Sequence, residues 1–339
     1  MAVLVTGGAG YIGSHTLILL LQNGYEVVVV DNLSNSSYES LNRVQAISGV
    51  EVKFYQGDIL DASLMRDVFE NNHIESIIHF AGLKSVGESN LKPLDYYEVN
   101  VYGTIRLLQL SQEYHVKRFI FSSSATVYGN PLNLPIQEHS PIGNTTNPYG
   151  TSKLMSEKIL EDFTKTHKDL QIVILRYFNP VGAHPSGLIG ESPHGVPNNL
   201  VPFVSQVAAG KIGQVNIYGA DYPTPDGTGV RDYIHVMDLA RGHINALESN
   251  LLSKPIDILN LGTGNGYSVL EVIKVFERIS GNRIKYIIRE RRNGDVASCW
   301  ADCQKAKDLL GWQADYSLDE MIAHTWNWQS KNPNGYEIE

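Results

Sequence analysis

Ala2-Val3-Leu4-Val5-Thr6-Gly7-Gly8-Ala9-Gly10-Tyr11-Ile12-Gly13 joins an apolar run to a glycine triplet. The first five residues read as a short buried strand, and Gly7, Gly10 and Gly13 as the turn into a helix ending near Gly24. The pattern is Gly-x-x-Gly-x-x-Gly, not the commoner G-x-G-x-x-G, but its physical use is similar. Small residues permit a tight turn and close backbone approach, so that helix N-terminal amides face a pyrophosphate. On its own the triplet also fits a plain strand–helix turn, and the second strand decides between the two. That strand, Glu26–Asp31, carries four valines and ends in an acid 18 positions after Gly13. An acid there accepts hydrogen bonds from a ribose hydroxyl and repels a 2′-phosphate, which favours NAD over NADP. Asp58, beyond a third strand, reads either as an adenine contact or as the cap of the next helix.

Outward from this unit the chain alternates. Val52–Tyr55, Ser76–Phe80, Arg118–Ser122 and Ile172–Arg176 read as further strands, rich in Val, Ile and Phe. Between them lie segments with apolar residues three or four apart, such as Asp61–Phe69, where Asp61 suits an N-cap and Leu64, Val68 and Phe69 share a face. Strands alternating with helices imply right-handed crossovers and an α/β fold, a Rossmann-type doubly wound parallel sheet. After Arg176 the texture changes: residues 179–199 and 219–229 are rich in Gly and Pro and suit loops around a site. Tyr233–Val236 and Ile256–Leu261 read as strands, and Leu270–Ile279 as a helix. The expected division is a dinucleotide-binding domain over 1–176, with segments near 233–262 returning to it. The remainder, 177–339, forms a smaller mixed α/β C-terminal domain for substrate.

Composition narrows the function. Of 339 residues 42% are apolar, which supplies a core; 27 Lys plus Arg against 36 Asp plus Glu leave a net charge of −9. That balance excludes sequence-independent nucleic-acid binding, which needs a positive surface. The two cysteines, Cys299 and Cys303, are too close for a useful disulfide loop and too few for a thiolate metal site. The histidines show no metal spacing, so no metal is expected. No apolar run approaches the roughly 20 residues of a membrane span, and no targeting segment is evident, so a cytoplasmic protein is expected.

Tyr149 and Lys153 form Tyr-x-x-x-Lys. With 18 Tyr in the chain, chance supplies roughly one such pair, so placement matters more than the motif. The pair comes after a strand that runs into Ser122-Ser123-Ser124-Ala125-Thr126. Positions i and i+4 share a helix face, and a lysine there, with a cationic nicotinamide nearby, favours the phenolate and lowers the tyrosine's proton affinity. Such a tyrosine can remove a proton from an alcohol while hydride leaves its carbon. Ser124 relays that proton or orients the hydroxyl.

Thr6–Gly13, Asp31, Ser124-Ala125-Thr126, Tyr149-Gly-Thr-Ser-Lys153 and Arg176-Tyr-Phe-Asn-Pro180 together resemble the extended short-chain dehydrogenases/reductases. Within them the chain is similar to the UDP-galactose 4-epimerases from its first residues to about Trp328. Phe80-Ala-Gly-Leu-Lys84-Ser-Val-Gly87, Pro197-Asn-Asn199-Leu200, Arg231-Asp-Tyr-Ile-His-Val-Met-Asp238 and Arg292-x-Gly-Asp295 match that pattern. Dehydratase relatives carry acidic residues where Ala125 and Thr126 stand.

The resemblance implies an isomerase that keeps NAD bound and passes through a transient 4-keto sugar, with Tyr149, Lys153 and Ser124 catalytic. Cofactor contacts would come from Gly7, Gly10, Tyr11, Ile12, Gly13, Asp31, Asn32, Asp58, Ile59, Phe80, Ala81, Gly82, Lys84, Asn100, Ser122, Tyr149, Lys153, Tyr177 and Phe178. At the UDP-sugar, Arg231 and Arg292 suit the diphosphate, Asp295 a ribose hydroxyl and Tyr218 the uracil. Lys84, Ser124, Ala125, Thr126, Tyr149, Asn179, Asn199, Leu200, Asn216 and Tyr233 complete that side. A homodimer through helices of the first domain is also implied.

Two departures stand out. Val99 precedes Asn100 where the family often shows two asparagines, leaving Asn100 alone on the cofactor side. Cys299 stands where members confined to non-acetylated hexoses carry a bulky tyrosine, and the family associates small residues there with 2-acetamido sugars. The expected range therefore includes UDP-N-acetylglucosamine and UDP-N-acetylgalactosamine besides UDP-glucose and UDP-galactose. The alternatives are a strict UDP-glucose/UDP-galactose enzyme, a nucleotide-sugar dehydratase or oxidoreductase, and a non-catalytic NAD sensor.

Overall fold

Six strands lead the chain into its main sheet: β1 (Ala2–Thr6), β2 (Glu26–Asp31), β3 (Lys53–Gln56), β4 (Ile74–His79), β5 (Arg118–Ser124) and β6 (Gln171–Tyr177). A seventh, Ile256–Leu261, returns from later in the chain to the β6 edge. The computed structural model, which describes residues 2–193, 195, 197–292 and 294–337, orders the sheet as returning strand, β6, β5, β4, β1, β2, β3. Every ladder is parallel. The order reverses beside β1, so a crevice opens at the carboxyl ends of β1 and β4, where open α/β sheets bind ligands.

Strand alternation builds two cores. Val3, Val5, Val27, Val29 and Ile78 face the helices Tyr11–Gln22, Tyr38–Ser48 and Val236–Glu248. Leu4, Val28, Val30 and Ile77 face Ala62–Glu70, Gly103–Glu113 and Pro148–Thr164. A period of two thus splits one valine-rich run between both layers. Asp61 caps its helix by accepting from the amides of Ser63 and Leu64. The buried positions there are Met65, Val68 and Phe69, with Leu64 only packed at the margin.

The later chain forms a second body around Val181, Val204, Ile217, Tyr233, Phe276 and Ile322. It comprises the helices Leu200–Ala208, Val269–Ser280 and Leu318–Lys331 with small sheets. Capping boxes Ser268/Glu271 and Ser317/Glu320 start two of these helices. Tyr233–His235 does not join the main sheet. It pairs with Asn179–Val181 instead, because Ile256–Leu261 occupies the edge beside β6. Val230–Arg231 lies between Tyr267–Ser268 and Ser298–Cys299, and Val215–Tyr218 pairs with Tyr286–Arg289. Among the described residues no helix is long and apolar enough to cross a membrane, and no group of acidic, His or Cys side chains could hold a metal ion.

Candidate functional site

Gly7 has φ +71°, and a Cβ there would sit 2.6 Å from the Ala81 amide nitrogen. A Cβ on Gly13 would lie 2.4 Å from the Gly7 carbonyl oxygen. Both obstacles are backbone and cannot move aside, so the loop needs glycine at these positions. Gly10 caps the helix Tyr11–Gln22, whose first turn holds no acid. The positive end of that helix is therefore free to meet an anion. A dinucleotide pyrophosphate fits this loop. Ile12 packs against the core, while the Tyr11 hydroxyl donates to the Gly182 carbonyl at 2.7 Å and so ties the loop to the second body.

Asp31 closes the loop from the β2 side. Its Oδ2 accepts the Ala9 amide at 3.0 Å, and its Oδ1 accepts the Leu33 amide and the Ser36 hydroxyl. Asn32 donates to Asp58, which also accepts the Leu60 amide. Since Asp61 caps the helix at 62–70, the capping alternative for Asp58 falls away. Ile59 is buried under Gly103. The Phe80 and Ala81 amides both donate to the Thr6 carbonyl, binding the β4 end to the β1 end. Asn100 is buried: it donates to the Leu83 carbonyl and Ser152 hydroxyl and accepts the Leu83 amide. It also lines Gly82, where a Cβ would fall 2.9 Å from its Oδ1.

Three consecutive serines at the end of β5 each engage the helix Pro148–Thr164. The Ser122 carbonyl accepts the Lys153 ammonium at 2.8 Å, Ser123 donates to Glu157 at 2.5 Å, and the Ser124 hydroxyl is close enough to the Tyr149 phenol to favour its ionised form. Tyr149, Lys153 and Glu157 are four apart and so share one helix face. The helix starts where it must because Asn147 caps the Gly150 amide and Pro148 occupies the first turn. Gly150 lets it approach Thr126, with 3.3 Å between a would-be Cβ and the Thr126 carbonyl. Ser124 Oγ accepts from both the amide and the hydroxyl of Thr126, so its own proton is not used in either bond. Tyr177 donates to Ser122 Oγ, and Phe178 and Ala125 pack into one small cluster.

The sequence expectation ties a lowered Tyr149 to a nearby nicotinamide; the chain by itself acts the other way. Burial pushes the Tyr149 phenol above its usual 10, and only the Ser124 hydroxyl opposes it. Burial also pulls Lys153 down to about 8, against the pull of Glu157. The chain alone therefore holds Tyr149 protonated; lowering it takes charge brought by a ligand, such as a cationic nicotinamide.

On the second body, Arg292 is stacked 4.7 Å over the Tyr218 ring and paired with Asp295 at 2.8 Å. The three side chains expected to take uracil, diphosphate and ribose thus form one cluster, each already engaged with another. Asn216 accepts from Arg289, and Arg291, on the same exposed stretch, pairs with Asp221. Asn199 is the N-cap of Leu200–Ala208 but its side chain makes no capping bond. Asn179 and Tyr233 are register partners. Arg231 is opposite Cys299. Lys84 pairs with Glu191 at 3.2 Å, across from the first body.

Sequence reasoning misses Glu157, although its spacing from Lys153 is there to be read. With Arg176 it forms a buried ion pair, 2.6 Å from Nη2 to Oε2. Arg176 also donates to Tyr128 and to the Glu138 carbonyl, and Tyr128 donates to Asn260 on the returning strand. Asp232 does more than pack beside its strand. Its carboxylate accepts from Thr263, Gly264 and Ala301 and so fastens the segment that carries Cys299.

The family model for GDP-mannose 4,6 dehydratase matches residues 4–325. UDP-glucose 4-epimerase of Bacillus subtilis (strain 168) is 58% identical over 337 residues, covering 99% of each chain. That of Haemophilus influenzae is 57% identical over 336 residues, again covering 99% of both. The crystal structure of UDP-glucose 4-epimerase from Bifidobacterium longum in complex with NAD+ and UDP superposes with a TM-score of 0.95. It is 56% identical and covers 99% of this chain and 100% of its own.

Proposed function

The chain belongs to the UDP-glucose 4-epimerase family of extended short-chain dehydrogenases/reductases, and on that premise we propose that it inverts C4 of UDP-hexoses, acetylated ones included. It works as an isomerase with NAD, held by the Gly7–Gly13 loop, Asp31, the Phe80–Gly82 turn, Lys84, Asn100 and Lys153. The segments 1–176 and 236–262 hold that cofactor, and the rest of 177–339, with the strand Tyr233–His235, holds the UDP-sugar.

When bound, NAD supplies a reversible acceptor for the hydrogen on the sugar's C4. Tyr149 removes the proton from the 4-hydroxyl, with Ser124 holding that oxygen in line. The Lys153 ammonium would favour the phenolate together with the nicotinamide's charge. After the 4-keto sugar has turned over, Tyr149 would return the proton to the same oxygen, O4, while C4 takes its hydrogen back on the opposite face. That return inverts C4, and no net oxidation results. Arg231, Arg292, Asn199 and Tyr218 grip the UDP end, so binding energy is spent where the sugar does not move.

The observation that carries this is the meeting of Ser124, Tyr149 and Lys153 at the end of β5, with Lys153 against the Ala81–Gly82 turn that crowds Gly7. The dehydratase named by the family model is disfavoured by Ala125 and Thr126, which supply no acid beside Ser124. The test is product analysis with four UDP-sugars, glucose, galactose and the two N-acetylhexosamines, and no added NAD. Turnover of none, or steady NADH accumulation, overturns it.

What supports the wider range is Cys299, a thiol among Ala125, Phe178 and Tyr128 in place of a phenol. The names of the relatives, all UDP-glucose 4-epimerases, fit the strict glucose/galactose range at least as well. A homodimer is supported by the apolar face of helices at 86–102 and 148–164. Leu91 and Leu94 there are 83% and 77% exposed, with Val86, Tyr102 and Met155 beside them.

A further inference from the structure

We propose that Glu157 is a positioning residue for the Lys153 charge: its buried carboxylate, pinned by Arg176 and Ser123, keeps the ammonium protonated and seated on the Ser122 carbonyl. This rests on the proposed epimerase reading and adds a residue to it. A buried ammonium loses its charge unless something negative compensates.

The surroundings of Lys153 supply little else. From β4 comes His79, which burial lowers to about 3 and so holds neutral. From β5 come the Ser122 carbonyl and the Phe121 ring, 5.0 Å from Nζ. Asn100 Oδ1 lies near Gly82, whose would-be Cβ is 3.8 Å from Nζ. From its own helix come Tyr149 and Glu157. Glu157 is the one carboxylate among these groups, and it acts on Lys153 through space from one turn away.

Glu157 is in turn faced by Ser123 from β5, by Arg176 from β6 and by Tyr128 beyond it. Arg176 takes both of its oxygens, Nε to Oε1 at 3.0 Å and Nη2 to Oε2 at 2.6 Å. A carboxylate clamped in this way cannot turn towards Lys153 and pull it off Ser122. The result is a carboxylate held by Arg176 one turn behind an ammonium seated on Ser122. A salt bridge directly to Lys153 would instead draw the ammonium away from the tyrosine.

The experiment is the pH profile of kcat for UDP-galactose epimerisation by the holoenzyme. Activity needs Lys153 charged, so it falls as pH rises and the lysine loses its proton. Glu157→Gln is expected to move this alkaline limb down by about one pH unit, with KM unchanged and the low-pH plateau retained. Glu157→Asp, which keeps the charge, leaves the limb near its original place. Since Glu157→Gln strands Arg176, the double variant Glu157→Gln/Arg176→Met removes the whole pair, a replacement that buried pairs often tolerate. It should still show the limb displaced downward, by less than the single variant because a cation leaves with the carboxylate. An unmoved limb in the double variant, with kcat lowered evenly at every pH, overturns the proposal. Failure of the epimerase reading itself would show separately, as no turnover by the unmodified enzyme at any pH.

Discussion

Cys299 lies opposite Arg231 in a parallel ladder, so the thiol and the guanidinium project from the same face. Burial raises the thiol to about 11, which leaves it an uncharged space-filler. Replacing it with tyrosine puts a ring where Ala125 and Phe178 already pack. Cys299→Tyr should cut turnover of the acetylated pair by about tenfold or more, while the plain hexoses change little; steric pockets discriminate on that scale. Equal activity of both proteins on the acetylated pair would sink the widened-pocket idea.

Tyr149→Phe removes the acidic oxygen while leaving the ring against Tyr96. Loss of a general acid–base costs about 10²–10⁴ in rate. That fall in kcat is expected with NAD content unchanged, measured by release on denaturation. Full activity would refute Tyr149 as the base.

Two glycines separate local strain from cofactor loss. Gly13→Ala forces a Cβ to 2.4 Å from the Gly7 carbonyl, whereas Gly24, at φ +79°, has nothing within 4 Å of the same atom. Gly13→Ala should destabilise by about 1–3 kcal/mol and release NAD. Gly24→Ala should cost about 1 kcal/mol and keep it. Equal NAD content in the two variants contradicts the proposed loop contact.

Four buried histidines predict acid lability. Burial lowers His235 to about 2, His15 and His79 to about 3 and His243 to about 4. Unfolded, each titrates near 6.5. Between those values the unfolded chain binds more protons, so stability is present above pH 6.5 and is lost as pH falls below it. Each contributes about 1.4 kcal/mol per pH unit. The urea midpoint should drop between pH 7 and pH 5. His243→Phe, among Phe80 and Tyr177, should flatten the slope by one proton. A midpoint independent of pH rules the account out.

Leu94→Glu places a charge on the exposed apolar face at 86–102. Sedimentation should show a wild-type dimer and a largely monomeric variant of unchanged fold. A wild-type monomer would end the dimer proposal.

Much of this was legible in the chain. β1, β2 and Ile256–Leu261 have the bounds their β-branched runs suggest, because buried parallel strands need little but apolar residues between turn formers. The glycine triplet and the Tyr149–Lys153 spacing gave the site its outline. What could not be read was partnership. Glu157 is a charge on a helix, and such residues ordinarily face water; only the arrival of Arg176 from β6 makes it a core group. Tyr233–Val236 reads as a strand from its own residues, yet which sheet receives it depends on a segment about 20 residues later. Asp58 and Asp61 offered the same cap, and the distances to Ser63 and Leu64 chose between them.

The returning strand has a consequence for how the protein is made. Until residue 261 leaves the ribosome, β6 presents an open edge of unpaired amides and carbonyls. Arg176 meanwhile has Tyr128 without its Asn260 partner. Vectorial synthesis therefore yields a nascent chain that carries Tyr149 and Lys153 long before the sheet beneath them is sealed. A slow stretch of translation before that point prolongs a sticky, edge-exposed species, and fragments cut between the two bodies inherit the same defect.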